Sequence, residues 1–264
     1  MNNDRPLAVV TGASSGIGYE LAKQFAENGF DLLVTSTDSK IDEVAPSFEF
    51  FGAKVETVQA DLAEYEGVEK LIQAIKATGR PLEAIAINAG FGEGGKFTQT
   101  DLQKELKMID LNISSSVHLA KYATQAMEQR RKGRILFTSS IAATMPGPFE
   151  AVYAATKTFL RSFSQALREE MKDVGVTVTA LMPGPTDTNF FHTANMDDTK
   201  AGASKKDDPA QVAKQGFEAL MSGKDEVVGG SIMNKVQAAV IQAMPEPIKA
   251  AAHRQLSEPG SGAN

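Results

Sequence analysis

Residues 11–18 read TGASSGIG and follow directly on the short apolar run LAVV, residues 7–10. Three glycines sit where a run of β type gives way to helical periodicity, and this constrains the fold more than any other feature. The pattern predicts a strand, a tight turn and a helix that begins inside the glycine cluster. Glycines there let backbone N–H groups approach a pyrophosphate, and the helix N-terminus adds its positive end. Gly12 and Gly16 have three residues between them, where the usual G-x-G-x-x-G has one. A glycine cluster that merely closes a βα turn is the alternative reading.

The remainder of the chain alternates in the same way. Strands are expected at 31–35, 53–59, 83–89, 134–140, 176–182 and 225–230. Helices are expected at 16–28, 41–51, 65–78, 152–173 and 209–221, with one long helix over 100–131. Several strands are continuously apolar, as parallel strands covered on both faces are. Right-handed crossovers then give an α/β fold, a doubly wound parallel seven-stranded sheet in one domain over residues 1–264. The basic run RRKGR (130–134) reads as a solvated helix end with Gly133 as its C-cap. Residues 190–208 are long, polar and irregular, as lids and binding loops are. A C-terminal extension covers about 231–264. Its stretch 234–256 suggests two short amphipathic helices split by Pro245 and Pro247, and its last residues, SEPGSGAN, are expected to be disordered.

Composition narrows the function. The 264 residues carry a net charge of −6, which argues against a nucleic-acid partner. There is no cysteine, hence no disulfide framework or thiolate chemistry, and the three histidines, His118, His192 and His253, show no metal spacing. The N-terminus lacks the pattern of a signal peptide, and no apolar run is long enough to span a bilayer, so a cytoplasmic location is the default expectation.

YAATK, residues 153–157, places Tyr153 and Lys157 on one helix face. A free phenol has a pKa of about 10, and a unit charge about 4 Å away at an effective dielectric of about 20 can move it by several kcal/mol. Taken with NAG (88–90), Asn112 in DLNIS, TSS (138–140) and PGPTDT (183–188), the chain closely resembles the classical short-chain dehydrogenase/reductase family over roughly residues 5–230. The resemblance implies an NAD(P)-dependent oxidoreductase that interconverts a secondary alcohol and a ketone. Tyr153 would be the acid/base, Ser140 would hold the substrate oxygen, and Lys157 would bind the nicotinamide ribose and favour the tyrosinate. Asn112 would hold a proton-relaying water, and Thr188 would contact the carboxamide. Ser139 competes with Ser140, but neighbouring strand residues face opposite ways, and the family spacing selects Ser140. A non-catalytic dinucleotide-binding regulator or scaffold on the same fold is the alternative.

Cofactor-binding positions follow from the same motifs: Gly12, Ser14, Ser15, Gly16, Ile17 and Gly18 in the turn; Ser36, Thr37 and Asp38 after the second strand; and Asp61 with Leu62 after the third. Asn88, Ala89 and Gly90 follow the fourth strand, Tyr153 and Lys157 lie on the helix, and Pro183, Gly184, Thr186 and Thr188 follow the sixth strand. Asp61 could accept from the adenine amino group. Ser36 stands at the family's acidic position and Thr37 at its basic one. Asp38 would repel a 2′-phosphate, which favours NAD over NADP, whereas Ser36, Thr37 and Lys40 could serve a phosphate. Phe91, Met145, Pro146, Phe149, Phe190 and Phe191 are expected near a mostly apolar pocket for a small carbonyl or alcohol. A homodimer or homotetramer is expected through the helices 100–131 and 152–173, and membrane binding is not.

Overall fold

Alternation along each strand sorts its side chains between two helical layers. In the computed structural model, which describes residues 5–231, 236, 240–241 and 244–263, seven parallel strands lie in the order β3-β2-β1-β4-β5-β6-β7. They are β1 (Leu7–Thr11), β2 (Asp31–Ser36), β3 (Val55–Gln59), β4 (Leu82–Ile87), β5 (Gly133–Thr138), β6 (Val176–Pro183) and β7 (Glu226–Gly229). Val9, Leu33, Ile85, Ile135 and Phe137 face one layer. It is built from α3 (Tyr65–Ala77), α5 (Ser115–Arg130) and α6 (Ala151–Met171), which contribute Leu71, Ile75, Leu119, Met127 and Leu160. Ala8, Val10, Leu32, Val34, Ala84, Ala86 and Leu136 face the other layer. That layer is α1 (Gly16–Glu27), α2 (Lys40–Glu49) and α9 (Pro209–Met221). The central strands offer only alanines at several of its positions. Large helix side chains fill the gap, with Phe25 and Phe217 packed edge to face at 5.1 Å.

The strand order reverses between β1 and β4. Helices leave this point on opposite faces, which opens a crevice at the carboxyl ends of the strands. Two further short helices, α7 (Phe190–Thr193) and α8 (Lys200–Ala203), rise above it, and a C-terminal helix, Glu246–Ser257, packs beside them. Among the described residues, no helix is long and apolar enough to cross a membrane.

Three expectations change. The long helix over 100–131 is three segments: α4 (Leu102–Ile109), one turn of π-helix (Asp110–Ser114) and α5. The helix before β5 ends on Arg131 in the left-handed region (φ 53), not on Gly133. Gly133 opens β5, where a Cβ would run into the Met127 side chain, so it is a glycine for space and not for a cap. The C-terminal helix begins just past Pro245 and carries Pro247 in its first turn, where a missing N–H costs nothing, so the two prolines mark a helix start as expected. Most of the first proposed tail helix lies outside the described residues. Residues 260–262 are held, not loose: Gly260 and Gly262 donate backbone N–H groups to Asp198 Oδ2 and the Asp198 carbonyl, both at 2.8 Å, and Lys200 N donates to Ser261 Oγ at 3.0 Å. These bonds tie the polar segment 190–208 to the tail, a pairing of stretches some sixty residues apart that no local pattern signals.

Candidate active site

The glycine turn shows what each of its glycines does. Gly12 (φ +67) and Gly16 (φ +55) occupy left-handed backbone that other residues adopt only at a cost. Gly12 and Ala13 donate to the Thr35 carbonyl at 2.9 and 3.1 Å, which fastens the turn to β2. A Cβ on Gly18 would overlap the Gly12 carbonyl oxygen. The first turn of α1 has no side-chain cap and no acidic residue, whereas Asp101 and Asp208 cap α4 and α9 through their carboxylates. The leading N–H groups of α1 therefore face the cleft without a side-chain partner. An open glycine cradle at an uncapped helix N-terminus fits a pyrophosphate.

Around this cradle, Ser14 Oγ and Ser36 Oγ lie 2.9 Å apart, and Ser36 Oγ donates to Asp38 Oδ1 at 3.3 Å. Asp61 Oδ1 accepts from Ala63 N at 3.0 Å, and its Oδ2 pairs with Lys107 Nζ at 2.8 Å. Partial burial raises the Asp61 pKa, but the bond from Lys107, the bond from Ala63 N and the lysine's charge together outweigh it and hold the carboxyl below its usual range. The same bond holds the Lys107 ammonium above its own. Lys107 lines the cleft and was not picked out from the sequence. It lies on an ordinary-looking polar helix and becomes significant only through its partner. Asn88 spends its amide on the sheet: Nδ2 donates to the Thr11 carbonyl at 3.1 Å, and Oδ1 accepts from Thr138 Oγ1 at 3.0 Å.

The second group of residues meets at the ends of β4, β5 and α6. Ser139 Oγ donates to the Lys157 carbonyl at 2.7 Å, so Ser139 anchors α6. Ser140 Oγ accepts from Ala142 N at 3.1 Å and faces the Tyr153 hydroxyl closely enough to favour its ionised form. Lys157 Nζ donates to the Thr138 carbonyl at 2.9 Å and lies 5.7 Å from the centre of the Tyr153 ring. Asn112, buried in the π turn, donates through Nδ2 to the Phe91 carbonyl and to Thr156 Oγ1, each at 3.0 Å, and accepts from Phe91 N at 3.2 Å. Its carbonyl accepts from Ser116 Oγ at 2.8 Å. A Cβ on Gly90 would come within 2.8 Å of Asn112 Oδ1 and 3.3 Å of Lys157 Nζ. The glycine of NAG thus leaves room for both side chains.

Electrostatics at this centre run against one expectation. Burial pushes the Tyr153 phenol above its ordinary range, the negative charge of Glu150 adds to this, and the Ser140 hydroxyl opposes it. Burial also lowers the Lys157 ammonium to about 8. Lys157 lies over the ring face, and desolvation dominates both groups.

All the site residues expected from the sequence except Asn112 line one cleft of about 730 Å3, with Ser15, Ile17, Thr37, Leu62, Ala89, Pro183, Gly184, Thr186 and Thr188 completing the dinucleotide side. Asn112 sits behind the wall. Phe91, Met145, Phe190 and Phe191 line the cleft, with Phe190 5.1 Å from Tyr153 between ring centres. Phe149 turns away to lie under the Arg254 guanidinium at 5.7 Å, and Pro146 is exposed. Glu150, His253, Leu256 and Ser257 also line the cleft. Sequence reasoning did not connect them, because 103 residues separate the first two. Among the described residues, no group of three or more His, Cys, Asp or Glu is arranged to hold a metal ion.

A family model described as short chain dehydrogenase matches residues 6–199. The chain is 32% identical over 216 residues to an uncharacterized oxidoreductase of Staphylococcus saprophyticus, covering 81% of this chain and 90% of that one. It is 30% identical over 202 residues to the 3-oxoacyl-[acyl-carrier-protein] reductase FabG of Escherichia coli, covering 76% and 82%. Its fold is similar to that of a short-chain dehydrogenase from Sphingobium yanoikuyae in complex with NADPH, with a TM-score of 0.80 and 24% identity over 91% of this chain and 97% of that one.

Proposed function

Since the chain belongs to the short-chain dehydrogenase family and is an NAD(P)-binding oxidoreductase of that family, we propose that it interconverts a secondary alcohol and a ketone with Tyr153 as the acid/base. The observation that carries the reading is the convergence of Ser140, Tyr153 and Lys157 on one wall of the cleft that also holds the glycine cradle. When bound, the dinucleotide supplies or takes up the hydride at the reacting carbon. Tyr153 gives its proton to the carbonyl oxygen in reduction and removes it in oxidation. A phenol held in its protonated form by burial suits the acid role. Ser140 donates a hydrogen bond to the same oxygen and orients it. Lys157 holds a positive charge next to Tyr153, is itself fixed by the Thr138 carbonyl, and presents its remaining N–H groups to the ribose. Asn112 clamps the Phe91 backbone and, through Thr156, the start of α6, which keeps the floor of the site rigid. Phe91, Phe190 and Phe191 exclude water from the substrate end.

For the dinucleotide we propose NAD over NADP. Asp38 shares a hydrogen bond with Ser36 at the end of β2, where its charge disfavours a 2′-phosphate. We further propose a cytoplasmic homo-oligomer. A scaffold that only binds the dinucleotide has no use for Ser140 and Tyr153 side by side on the cleft wall. The test is turnover of a panel of apolar ketones with each reduced dinucleotide, in parent and Tyr153→Phe. Reduction that falls at least about a thousandfold in the variant, with dinucleotide binding kept, supports the reading; binding without turnover of any ketone refutes it.

A further inference from the structure

The cleft holds one carboxylate that this chemistry does not use. Glu150 precedes Tyr153 by three residues and stands at the N-cap of α6, so the two side chains occupy neighbouring positions at the start of that helix. It is 7% exposed and lines the cleft. Its Oε2 accepts from Ser257 Oγ at 2.7 Å and from His253 Nε2 at 2.9 Å, both on the C-terminal helix. Oε1 has no hydrogen-bond partner among the described residues. The other charged cleft residues near the glycine turn are Asp38 and the Asp61–Lys107 pair. Among the described residues, Glu150 is therefore the only carboxylate lining the cleft at the Tyr153 end, where Phe91, Met145, Phe190, Leu256 and Ile241 supply an apolar wall.

The Ser257, His253 and Glu150 arrangement is not a nucleophilic relay. A relay needs serine and carboxylate on opposite ring nitrogens. Here Ser257 Oγ (3.2 Å) and Glu150 Oε2 share the same Nε2, and Ser257 is buried. The two bonds hold the carboxylate instead, and they leave one oxygen to act.

We propose that Glu150, held in place by His253 and Ser257, is a specificity-determining residue. Its Oε1 accepts a hydrogen bond from a donor group, hydroxyl or ammonium, next to the reacting carbon of the substrate, and its charge turns away substrates that carry a carboxylate there. The substrate class is thus an apolar alcohol or ketone with a neighbouring hydroxyl or amine. This rests on the alcohol–ketone reading above for which carbon reacts, but not for the binding order. A desolvated charge-assisted hydrogen bond corresponds to about 10- to 150-fold in affinity.

The experiment is calorimetric titration of the complex with oxidised dinucleotide, using a set built on one frame: 1-phenylethanol, 1-phenyl-1,2-ethanediol, 2-amino-1-phenylethanol and mandelate. The parent is expected to bind the amine at least about tenfold more tightly than mandelate, with the diol ahead of 1-phenylethanol. In Glu150→Gln the amine-to-mandelate ratio is expected to fall by about tenfold or more, mostly through tighter mandelate and weaker amine binding. Loss of packing alone would weaken all four ligands together and leave the ratio in place, and that result overturns the proposal. So does a parent that binds amine and mandelate equally, which decides the matter even if the variant does not fold. Oxidation of the same alcohols, followed by formation of the reduced dinucleotide, is read separately. A correct binding order without oxidation would refute the alcohol–ketone reading and leave the role of Glu150 standing, and the converse result would do the opposite.

Discussion

At the scale of single residues, the centre is governed by desolvation. Lys157 has its charged form penalised, from the usual 10.5 to about 8, which corresponds to roughly 3 kcal/mol of folding free energy. Between about pH 8 and 10.5 the unfolded chain binds the proton that the folded chain has lost, so this penalty is full below pH 8 and fades as pH rises. Lys157→Met removes the penalty and also the bond to Thr138, worth about 1 kcal/mol. The variant is expected to melt roughly 4 to 8 °C above the parent at pH 7, while losing nearly all turnover. Thermal melts at pH 7 and 9.5 check this: the gain should shrink at the higher pH. Glu150 is a cause of the raised phenol, so Glu150→Gln should move the rising limb of the oxidation rate to lower pH, measured as kcat against pH. An unmoved limb would mean that the two groups do not interact. The sequence made Ser140, Tyr153 and Lys157 legible because their spacing is local. It could not show that burial opposes the lysine's influence on the phenol, since burial is set by Phe190 and other residues brought in by the fold.

At the scale of elements, the boundary between turn and helix is the most demanding place in the chain. A side chain on Gly18 must displace the Gly12 backbone, whereas a Cβ on Gly29 (φ +86) would meet nothing within 4 Å. Gly18→Ala is expected to cost more than about 3 kcal/mol and to abolish dinucleotide binding, and Gly29→Ala about 1–2 kcal/mol with binding intact. Denaturant unfolding and dinucleotide titration of both variants separate space from backbone strain. The strands and most helices were legible, because continuous apolar runs and glycine punctuation are local signals. The π turn was not: 100–131 has no glycine or proline to mark a break, and the Asn112 bonds to the Phe91 backbone that accompany the extra residue join positions 21 apart in sequence. Nor was the docking of the C-terminal helix, since nothing near His253 or Ser257 points to a carboxylate a hundred residues earlier.

At the scale of the whole molecule, α4 and α6 carry apolar surface that the fold leaves uncovered. Leu102 is 61% exposed, Leu106 44% and Phe159 36%. Leu106→Asp combined with Phe159→Asp is expected to lower the mass measured by light scattering at micromolar concentration to that of a single chain, with the circular dichroism of the parent. A parent that already runs as a single chain would refute the assembly. These outward leucines face away because of the turn at Asp110–Ser114. One additional residue there is a slip in helical phase of about 100°. It lets α5 keep Leu119, Ala123 and Met127 on the sheet while α4 swings Met108 inward and Lys107 toward Asp61. Apart from Asn112, the stretch is therefore expected to tolerate a change of letter better than a change of length. A single deletion between residues 110 and 114 would restore an unbroken helix and rotate the outer contact surface and the Lys107 contact out of phase together, in a chain whose composition had scarcely altered.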